Sequence, residues 1–320
     1  MLTPPHDLDT DDLLRELRAQ YDVHSDDLRF HPLGEDSWSY HLGDLWVSVR
    51  RDLRIHLPAA YELSCRLRDA GLNFVLAPLP GADGRLVRRV GRHPVVVFPY
   101  VSAEPLAAET ASSQEVAEAG RMLTRLHGCR IPADLPAEGY TLPFEEDVAR
   151  VVAAADGAPD RGPYTSRLVR LLQANRHALA ADRAELARLA RVCAAVADPL
   201  VLTHGEPLAS NILRTSAGLR LIDWGEAGWG PPERDFSHLA RTLGVAPPQR
   251  PAFARLYEIR WRLSEIAEYG IRFLEEHRGD ADDDAMWHRL LQYLPNSWQT
   301  TVRGRQRPAA GRGRLGERSE

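Results

Sequence analysis

The segment between residues 199 and 236 constrains the fold more than any other part of the chain. A short apolar strand leads into a polar loop that closes on Asn211, and a predicted hairpin with its turn at 216–218 follows. The hairpin returns the chain so that Asp223 lies beside Asn211. Together with Glu206, these residues bring two carboxylates and one carboxamide oxygen close to each other. Such hard oxygen ligands suit Mg²⁺ that carries nucleotide phosphates, whereas zinc prefers histidine and cysteine.

All 40 basic residues are arginine, because the sequence contains no lysine. This excludes a phosphate loop that ends in Gly-Lys-Ser/Thr, and it excludes a lysine Schiff base. A site that normally uses lysine must here use arginine or do without a cation. The formal net charge of −5 argues against a generally basic nucleic-acid-binding surface.

The three cysteines favour a reducing compartment over a disulfide-stabilised fold, so we expect a cytoplasmic protein. The acidic N-terminus has no apolar run behind it and does not resemble a signal peptide. The longest strongly apolar stretch, residues 95–101, contains a proline and is too short to span a bilayer. The sequence therefore predicts no membrane association.

The first third of the chain is predicted to be rich in β-structure. Alternating patterns predict strands at 28–32, 38–42, 45–50, 74–77, 86–90 and 95–98. Helices are predicted at 11–21 and 58–69, the second with a proline near its start and a glycine just past its end.

Helical spacing dominates after Tyr100. Ser112 and Glu115 are predicted to form a capping box. Further helices are predicted at 148–155, 167–179, 182–196, 252–277 and 285–294, with short strands at 200–203, 212–214 and 219–222. The tail at 301–320 is rich in arginine and glycine and is predicted to be disordered.

The central segment resembles a known family. His-Gly-Glu at 204–206 with Asn211, followed by Ile-Asp-Trp at 222–224, is similar to the catalytic loop and metal-binding segment of aminoglycoside phosphotransferases and related small-molecule kinases. The continuation Pro-Pro-Glu-Arg-Asp at 231–235 is similar to the spectinomycin phosphotransferase branch in particular. One departure is Glu206, which stands where most members carry aspartate.

The resemblance implies an α+β, two-lobed, protein-kinase-like fold. A β-rich N-lobe that binds nucleotide would span residues 1–101, and a mainly helical C-lobe would span residues 102–300. The C-lobe would carry the catalytic loop, the metal site and the acceptor site.

The resemblance also implies a basic residue on the third strand and a glutamate on the next helix to hold it. Val-Ser-Val-Arg at 47–50 lies where the family has Val-Ala-Ile-Lys, so Arg50 replaces the lysine and Glu62 is its expected partner. Two alternatives stay open: Arg51 instead of Arg50, or an alignment shifted by two that places Ser48 at the lysine position.

A hinge for adenine is expected at residues 95–101. The Pro99 carbonyl would accept a hydrogen bond from the adenine amino group and the Val101 N–H would donate one to the ring, a scheme that does not need the N–H that proline lacks. The phosphate-covering loop would be residues 34–39, in which Ser37 is a candidate phosphate ligand.

These assignments imply an enzyme that transfers a phosphoryl group from ATP to a hydroxyl of a small molecule. Asp223 and Asn211 would hold Mg²⁺, Arg50 would bind the α- and β-phosphates, and Glu206 would orient the substrate hydroxyl or accept its proton. His204 and Asp235 are expected to fix the loop and not to react.

The acceptor stays open between an aminoglycoside or aminocyclitol antibiotic, which would imply a role in antibiotic resistance, and a sugar, choline-like or amino-alcohol metabolite. Acidic clusters at 258–268 and 145–147 are candidates for binding a cationic acceptor or are solvated surface. A nucleotide-binding protein without transferase activity and an RNA-binding tail are the rival interpretations. The sequence does not decide the oligomeric state.

Overall fold

The computed structural model describes residues 1–33, 37–54, 56–244 and 250–294. The predicted disordered tail at 301–320 and the first part of the predicted phosphate-covering loop, residues 34–36, lie outside the described residues. The chain divides into two compact units. The first comprises Met1–Thr141 and Glu185–Trp261, and the second comprises Leu142–Ala184 and Arg262–Glu320. The predicted lobe boundary near residue 101 stays a prediction.

The first unit contains ten described strands and four complete helices. The strands are β1 (Arg29–His31), β2 (Ser37–Leu42), β3 (Leu45–Arg50), β4 (Val87–Val90), β5 (His93–Pro99), β6 (Ala103–Pro105), β7 (Val201–Thr203), β8 (Ile212–Thr215), β9 (Gly218–Leu221) and β10 (Gly228–Gly230). The complete helices are α1 (Thr10–Gln20), α2 (Pro58–Asp69), α3 (Ser113–His127) and α6 (Glu233–Leu243).

Two long helices belong partly to each unit, and two shorter helices belong to the second. The long ones are α5 (Thr165–Ala194) and α7 (Pro251–Arg272), and the shorter ones are α4 (Glu145–Ala153) and α8 (Ala281–Tyr293). Among the described residues, no helix combines the length and the apolarity needed to cross a membrane. Cys65, Cys129 and Cys193 are free thiols.

An antiparallel sheet in the order β1-β2-β3-β5-β4 forms the N-terminal part of the first unit. Side chains alternate along a strand, so the two faces of β3 differ. Val47 and Val49 are fully buried in a core with Leu13 and Leu17 of α1. The opposite face of β3 carries Trp46, Ser48 and Arg50.

A second core supports the segment singled out in the sequence. Buried side chains from α2 and α3 pack there with residues of β7, β8 and β9, among them Leu67, Met122, Leu202, Ile212 and Leu221. The sheet β6-β8-β9 contains the predicted hairpin, in which Ile212 pairs with Leu221. This hairpin brings the end of β9, and thus Asp223, back to the start of β8.

Several predicted elements are confirmed with their limits. Strand β3 and helix α2 have the predicted bounds, and the capping box of Ser112 and Glu115 is present at the start of α3. The predicted strand at 74–77 is wrong, because only Val75 forms an isolated bridge there, to Leu221.

The predicted break between helices at 179–182 is also wrong. Helix α5 runs unbroken from Thr165 to Ala194. Asp182 was expected to begin a new helix, but its carboxylate pairs with Arg262 at 2.5 Å, so it has a tertiary partner and does not cap the backbone.

Candidate functional site

The loop after β7 is tied to the chain just before Asp223 through His204. The Glu206 N–H donates to His204 Nδ1 at 3.3 Å, so the other ring nitrogen, Nε2, carries the proton and donates to the Ile222 carbonyl at 2.9 Å. His204 is fully buried, and burial lowers the pKa of its imidazole. The neutral ring therefore fixes the backbone of Glu206 relative to that of Asp223.

A buried carboxylate holds the same loop from the other side. Asp235 accepts hydrogen bonds from the backbone N–H groups of His204 and Gly205 at 3.0 and 2.8 Å, and from His127 Nε2 at 2.8 Å. Burial by itself raises the pKa of Asp235, but these hydrogen bonds and the nearby histidines outweigh it and hold the pKa at about 2. Asp235 is thus an ionised anchor for the loop.

Arg234 joins the end of β7 to the short helical turn that follows Asp223. Its guanidinium donates to Thr203 Oγ1 at 2.8 Å and to the Glu226 carbonyl at 3.0 Å. Gly205, at φ +101°, lies against the same guanidinium. A Cβ there would come within 2.6 Å of the Glu226 carbonyl and 2.8 Å of Arg234. The loop needs glycine at this position for both reasons.

Asn211 and Asp223 meet at the base of the hairpin. The Ile222 N–H donates to the Asn211 carbonyl at 3.0 Å, and the Asn211 amide group donates to the Glu206 carbonyl at 3.0 Å. Because this hydrogen bond fixes the side-chain nitrogen of Asn211, the other amide atom, Oδ1, can bind a cation. Asp223 adopts the left-handed conformation, at φ 64°, and its side chain is 31% exposed.

The donor set fits a magnesium–nucleotide site. Among the described residues, no three His, Cys, Asp or Glu side chains come together as a metal-binding group. A pair of oxygen donors is what such a site requires, because Mg²⁺ keeps several waters and binds one or two protein carboxylates together with substrate phosphates. Asp223 and Asn211 offer this pair.

Arg50 is the cation that the structure brings to Asp223. Its guanidinium, with 5% of the side chain exposed, lies 3.4 Å from Asp223 Oδ1. Arg51 is exposed and pairs with its neighbour Asp52 at 3.6 Å. Ser48 shares the face of β3 with Arg50 but has no comparable reach toward Asp223.

The predicted pair of Arg50 and Glu62 is not formed. Helix α2 directs Tyr61 and Ser64 inward, both fully buried, and this turns Glu62 outward into solvent. Glu62 instead lines an open surface cavity with Arg66 and Asp69. Arg50 is hydrogen-bonded to His56, which the sequence did not single out.

The hinge for adenine stays a prediction, and the strand register bears on only part of it. The Tyr100 N–H donates to the Asp44 carbonyl at 2.8 Å, so the polar backbone groups of Tyr100 face β3. Because these groups alternate in direction along a strand, the carbonyl of Pro99, the last residue of β5, points away from β3. Val101 lies beyond the end of β5, so the role of its N–H stays a prediction.

Ser37 lies directly across from Arg50, and Ser39 from Ser48, in the β2–β3 pair. These three serines are buried and share one face with Arg50. The face thus offers a row of hydroxyl groups that leads to the guanidinium.

The structure gives local roles to some members of the two acidic clusters. Glu258 lies in the first unit and pairs with Arg255 at 2.9 Å. Glu145, Glu146 and Asp147 form the first turn of α4 in the second unit, where carboxylates favour the helix N-terminus. Neither observation assigns an acceptor site to these residues.

Sequence reasoning missed a buried network behind the loop. Glu138 accepts from Arg260 at 2.7 Å and from the Tyr257 hydroxyl at 3.0 Å, and it lies 3.7 Å from Arg234. Glu138 comes from an irregular stretch, so no periodic pattern pointed to it. His56 was missed for the same reason.

Comparisons with known proteins show what this chain is similar to. The sequence profile of the phosphotransferase enzyme family that includes the aminoglycoside phosphotransferases matches residues 47–274. Protein StrN of Streptomyces griseus is 48% identical over 276 residues, which are 84% of this chain and 86% of that protein.

Solved structures show the same fold at low sequence identity. A spectinomycin phosphotransferase, in complex with ADP and spectinomycin, superposes with a TM-score of 0.70 at 15% identity, covering 89% of this chain and 94% of that one. A microcompartment-associated aminopropanol kinase superposes with a TM-score of 0.59 at 17% identity, covering 93% and 99%.

Proposed function

The chain belongs to this phosphotransferase enzyme family, and from that premise we propose that it transfers the γ-phosphoryl group of Mg-ATP to a hydroxyl of a small molecule, an aminoglycoside or aminocyclitol in the first instance. The observation that carries the proposal is the meeting of Arg50, Asp223 and Asn211 beside the Glu206 loop. All four residues lie within the first compact unit.

Each residue has a role that follows from its place. Asp223 and Asn211 Oδ1 hold Mg²⁺, which neutralises charge on the phosphates when it is bound. Arg50 binds the phosphates from the sheet face it shares with Ser37. The Pro99 carbonyl and the Val101 N–H bind the edge of adenine.

Glu206 orients the acceptor hydroxyl and accepts its proton. Its side chain is one methylene longer than the usual aspartate, so its backbone position matters for the distance to the acceptor. The hydrogen bond from its N–H to His204 fixes that position. Phosphoryl transfer proceeds through a loose transition state, so positioning and charge neutralisation contribute more than general-base strength.

The class of acceptor is supported by the structural neighbours. One is a spectinomycin phosphotransferase, and another is a complex of gentamicin with an aminoglycoside phosphotransferase, at a TM-score of 0.54. An antibiotic acceptor implies a role in resistance. The free thiols and the need for ATP fit a cytoplasmic location.

A second candidate is a metabolic kinase that acts on an amino alcohol. The likeness to the aminopropanol kinase favours it, as does a likeness to a choline/ethanolamine kinase family protein at a TM-score of 0.53. The first candidate ranks higher because the spectinomycin enzyme superposes better. A binding protein without activity ranks lowest, since the chain retains both residues proposed to bind the metal, Asn211 and Asp223.

The test is an assay of the purified chain with Mg-ATP and a panel of aminocyclitols, aminoglycosides and small amino alcohols, with detection of phosphorylated product by mass. We expect a product from one acceptor class, which identifies the substrate. The proposal fails if the protein binds Mg-ATP but no member of the panel is phosphorylated.

A further inference from the structure

Glu138 is a buried carboxylate that lies close to two guanidinium groups. Arg260 Nη1 lies 2.7 and 2.8 Å from its two oxygens, the Tyr257 hydroxyl donates to Oε2 at 3.0 Å, and Arg234 Nε lies 3.7 Å from the same oxygen. Only 5% of the Glu138 side chain is exposed. Burial by itself raises the pKa of Glu138, but the positive charges of Arg260 and Arg234 outweigh it and lower the pKa below its usual value. The ionised carboxylate is therefore a counter-ion for both guanidinium groups.

The backbone around Glu138 is joined to strand β10. The Trp229 N–H donates to the Pro136 carbonyl at 2.9 Å, and the Glu138 N–H donates to the Trp229 carbonyl at 2.7 Å. Strand β10 pairs in turn with β7, which leads into the loop that carries Glu206. Glu138 Oε1 also accepts a hydrogen bond from the Tyr140 N–H at 2.7 Å. Both the main chain and the carboxylate of Glu138 are thus fixed relative to β7.

Arg234 connects this carboxylate to the loop. Its guanidinium, with 13% of the side chain exposed, donates to Thr203 Oγ1 and to the Glu226 carbonyl, and both acceptors are uncharged. A buried cation held by uncharged groups needs a carboxylate nearby, because its desolvation is costly. The Glu226 carboxylate lies 3.9 Å away but is 39% exposed, so water weakens its attraction. The buried Glu138 carboxylate is the stronger counter-ion.

We propose that Glu138 is a positioning residue for phosphoryl transfer. As the buried counter-ion of Arg234, it keeps that guanidinium between the loop that carries Glu206 and the turn that follows Asp223. The inference rests on the proposed function, and all four residues lie within the first compact unit. It adds that the place of the acceptor-binding carboxylate depends on a residue outside both the catalytic loop and the metal-binding segment.

Loss of the Glu138 charge would displace Arg234 in a defined direction. Without their shared counter-ion, the guanidinium groups of Arg234 and Arg260 repel each other. Arg234 would be drawn toward the more exposed Glu226 carboxylate and away from Thr203. The contact between Arg234 and the end of β7 would weaken, and with it the support for the loop that follows.

Nucleotide binding and phosphoryl transfer would respond differently to this loss. Glu206 belongs to the loop whose support weakens, and a misplacement of about 1 Å can cost about 10²-fold in rate. Asn211 and Asp223 keep the hairpin β8–β9, in which the Ile222 N–H donates to the Asn211 carbonyl. Transfer should therefore slow while the affinity for Mg-ATP is retained.

The test compares Glu138→Gln, which keeps the size of the side chain and removes its charge, with Arg260→Gln, which leaves Glu138 to Arg234. We expect Glu138→Gln to lower kcat about tenfold and to keep the Kd for Mg-ATP within about twofold of wild type. Arg260→Gln should keep kcat within about threefold, although it removes a shorter contact than the one to Arg234. Glu118→Gln removes a more exposed carboxylate that pairs with Arg121 and is the matched control.

A double-mutant cycle shows whether Glu138 acts through Arg234. In an Arg234→Gln background, Glu138→Gln should have no further effect on kcat, because the group through which it acts is gone. If Glu138→Gln alone does not fold, the double variant with Arg260→Gln is measured in its place. That variant restores the net charge of the network but leaves Arg234 without Glu138, so its kcat should be about tenfold below that of Arg260→Gln alone.

Failure of this inference and failure of the proposed function give different results. If wild type transfers no phosphate from Mg-ATP to the acceptor panel, the proposed function fails. If wild type transfers phosphate, the positioning role is overturned by a wild-type kcat in Glu138→Gln, by an equal loss of kcat in Arg260→Gln, or by an effect that adds fully to that of Arg234→Gln. A loss of Mg-ATP affinity as large as the loss of kcat would also overturn it.

Discussion

Two regions of the first unit supply the proposed active site, and they are held in different ways. The catalytic segment, residues 203–235, is fixed by hydrogen bonds between buried side chains and the backbone of the segment itself. The phosphate arm, formed by Ser48–Arg50 of β3 and by His56–Glu62, is fixed by contacts between side chains. The first region is held through its loop backbone, whereas in the second the guanidinium of Arg50 is placed by side-chain contacts that include His56 and Asp223.

This difference has a consequence for how substitutions act. Changes in the catalytic segment should alter turnover, because they move the metal ligands or the acceptor-binding carboxylate. Changes in the phosphate arm should alter nucleotide affinity first, because they move a charge that contacts the phosphates. Substitutions in the two regions test that division.

The largest effect is expected for Asp223→Ala. The substitution removes the carboxylate proposed to bind Mg²⁺. A metal ion stabilises the charge of the transition state by several kcal/mol, so turnover should fall by about 10³-fold or more. Initial rates at saturating Mg-ATP measure it. Asp69→Ala removes an exposed carboxylate that also pairs with an arginine and serves as the control. Turnover close to wild type would refute the metal assignment.

Glu206→Gln comes next and keeps the shape of the side chain. Loss of the proton acceptor should lower kcat by about 10²-fold, while ATP affinity stays unchanged. Steady-state kinetics together with a titration of nucleotide binding separate the two quantities. A collapse of ATP affinity with kcat preserved would make Glu206 a nucleotide ligand instead.

Arg50→Gln tests the phosphate arm. Removing a charge-assisted contact to the phosphates should raise the KM for ATP by about tenfold or more, with a smaller change in kcat. Arg51→Gln is the matched control, because Arg51 is exposed and pairs with Asp52. Equal effects of the two substitutions would contradict the choice of Arg50.

Asp235→Asn should have a smaller effect on turnover than Asp223→Ala or Glu206→Gln, and a clear effect on stability. The native pKa of Asp235 is about 2, below the ordinary value of 3.8, so the ionised group stabilises the fold above about pH 4. That contribution, about 2 kcal/mol, is lost as the pH falls through the native pKa.

Denaturant unfolding of wild type and Asp235→Asn across this pH range checks the prediction. The advantage of wild type should shrink between about pH 4 and about pH 2, because asparagine does not titrate. Asp69→Asn again serves as the control. A difference that does not vary with pH would mean that the charge of Asp235 does not stabilise the loop.

The same two regions show what the sequence can and cannot predict. The catalytic segment is a contiguous pattern, and the hairpin it predicts does bring Asn211 and Asp223 together. Strand β3 and helix α2 were also predicted with their limits. Each of these depends on local spacing, on glycine or proline at element ends, and on period-two or helical patterns.

The predictions that the structure contradicts concern contacts that the local sequence pattern does not determine. A helix turns about 100° per residue, so the inward direction of Tyr61 places Glu62 outside, and only the packing of α2 sets this rotation. His56 lies before helix α2, in no periodic element. It contacts Arg50, six residues earlier, and Asp223, which is far away in the sequence. The unbroken α5 likewise depends on the tertiary partner of Asp182.

The central claim is that the residues around Asp223 transfer phosphate from ATP to an alcohol oxygen. Phosphorus NMR of the reaction of wild type with Mg-ATP and the acceptor found in the panel tests it most directly, with Asp223→Ala in parallel. The account predicts a new phosphate-ester signal that grows as ADP forms, and no such signal with the variant. A phosphoramidate signal, release of inorganic phosphate alone, or an equal ester signal from the variant would contradict it.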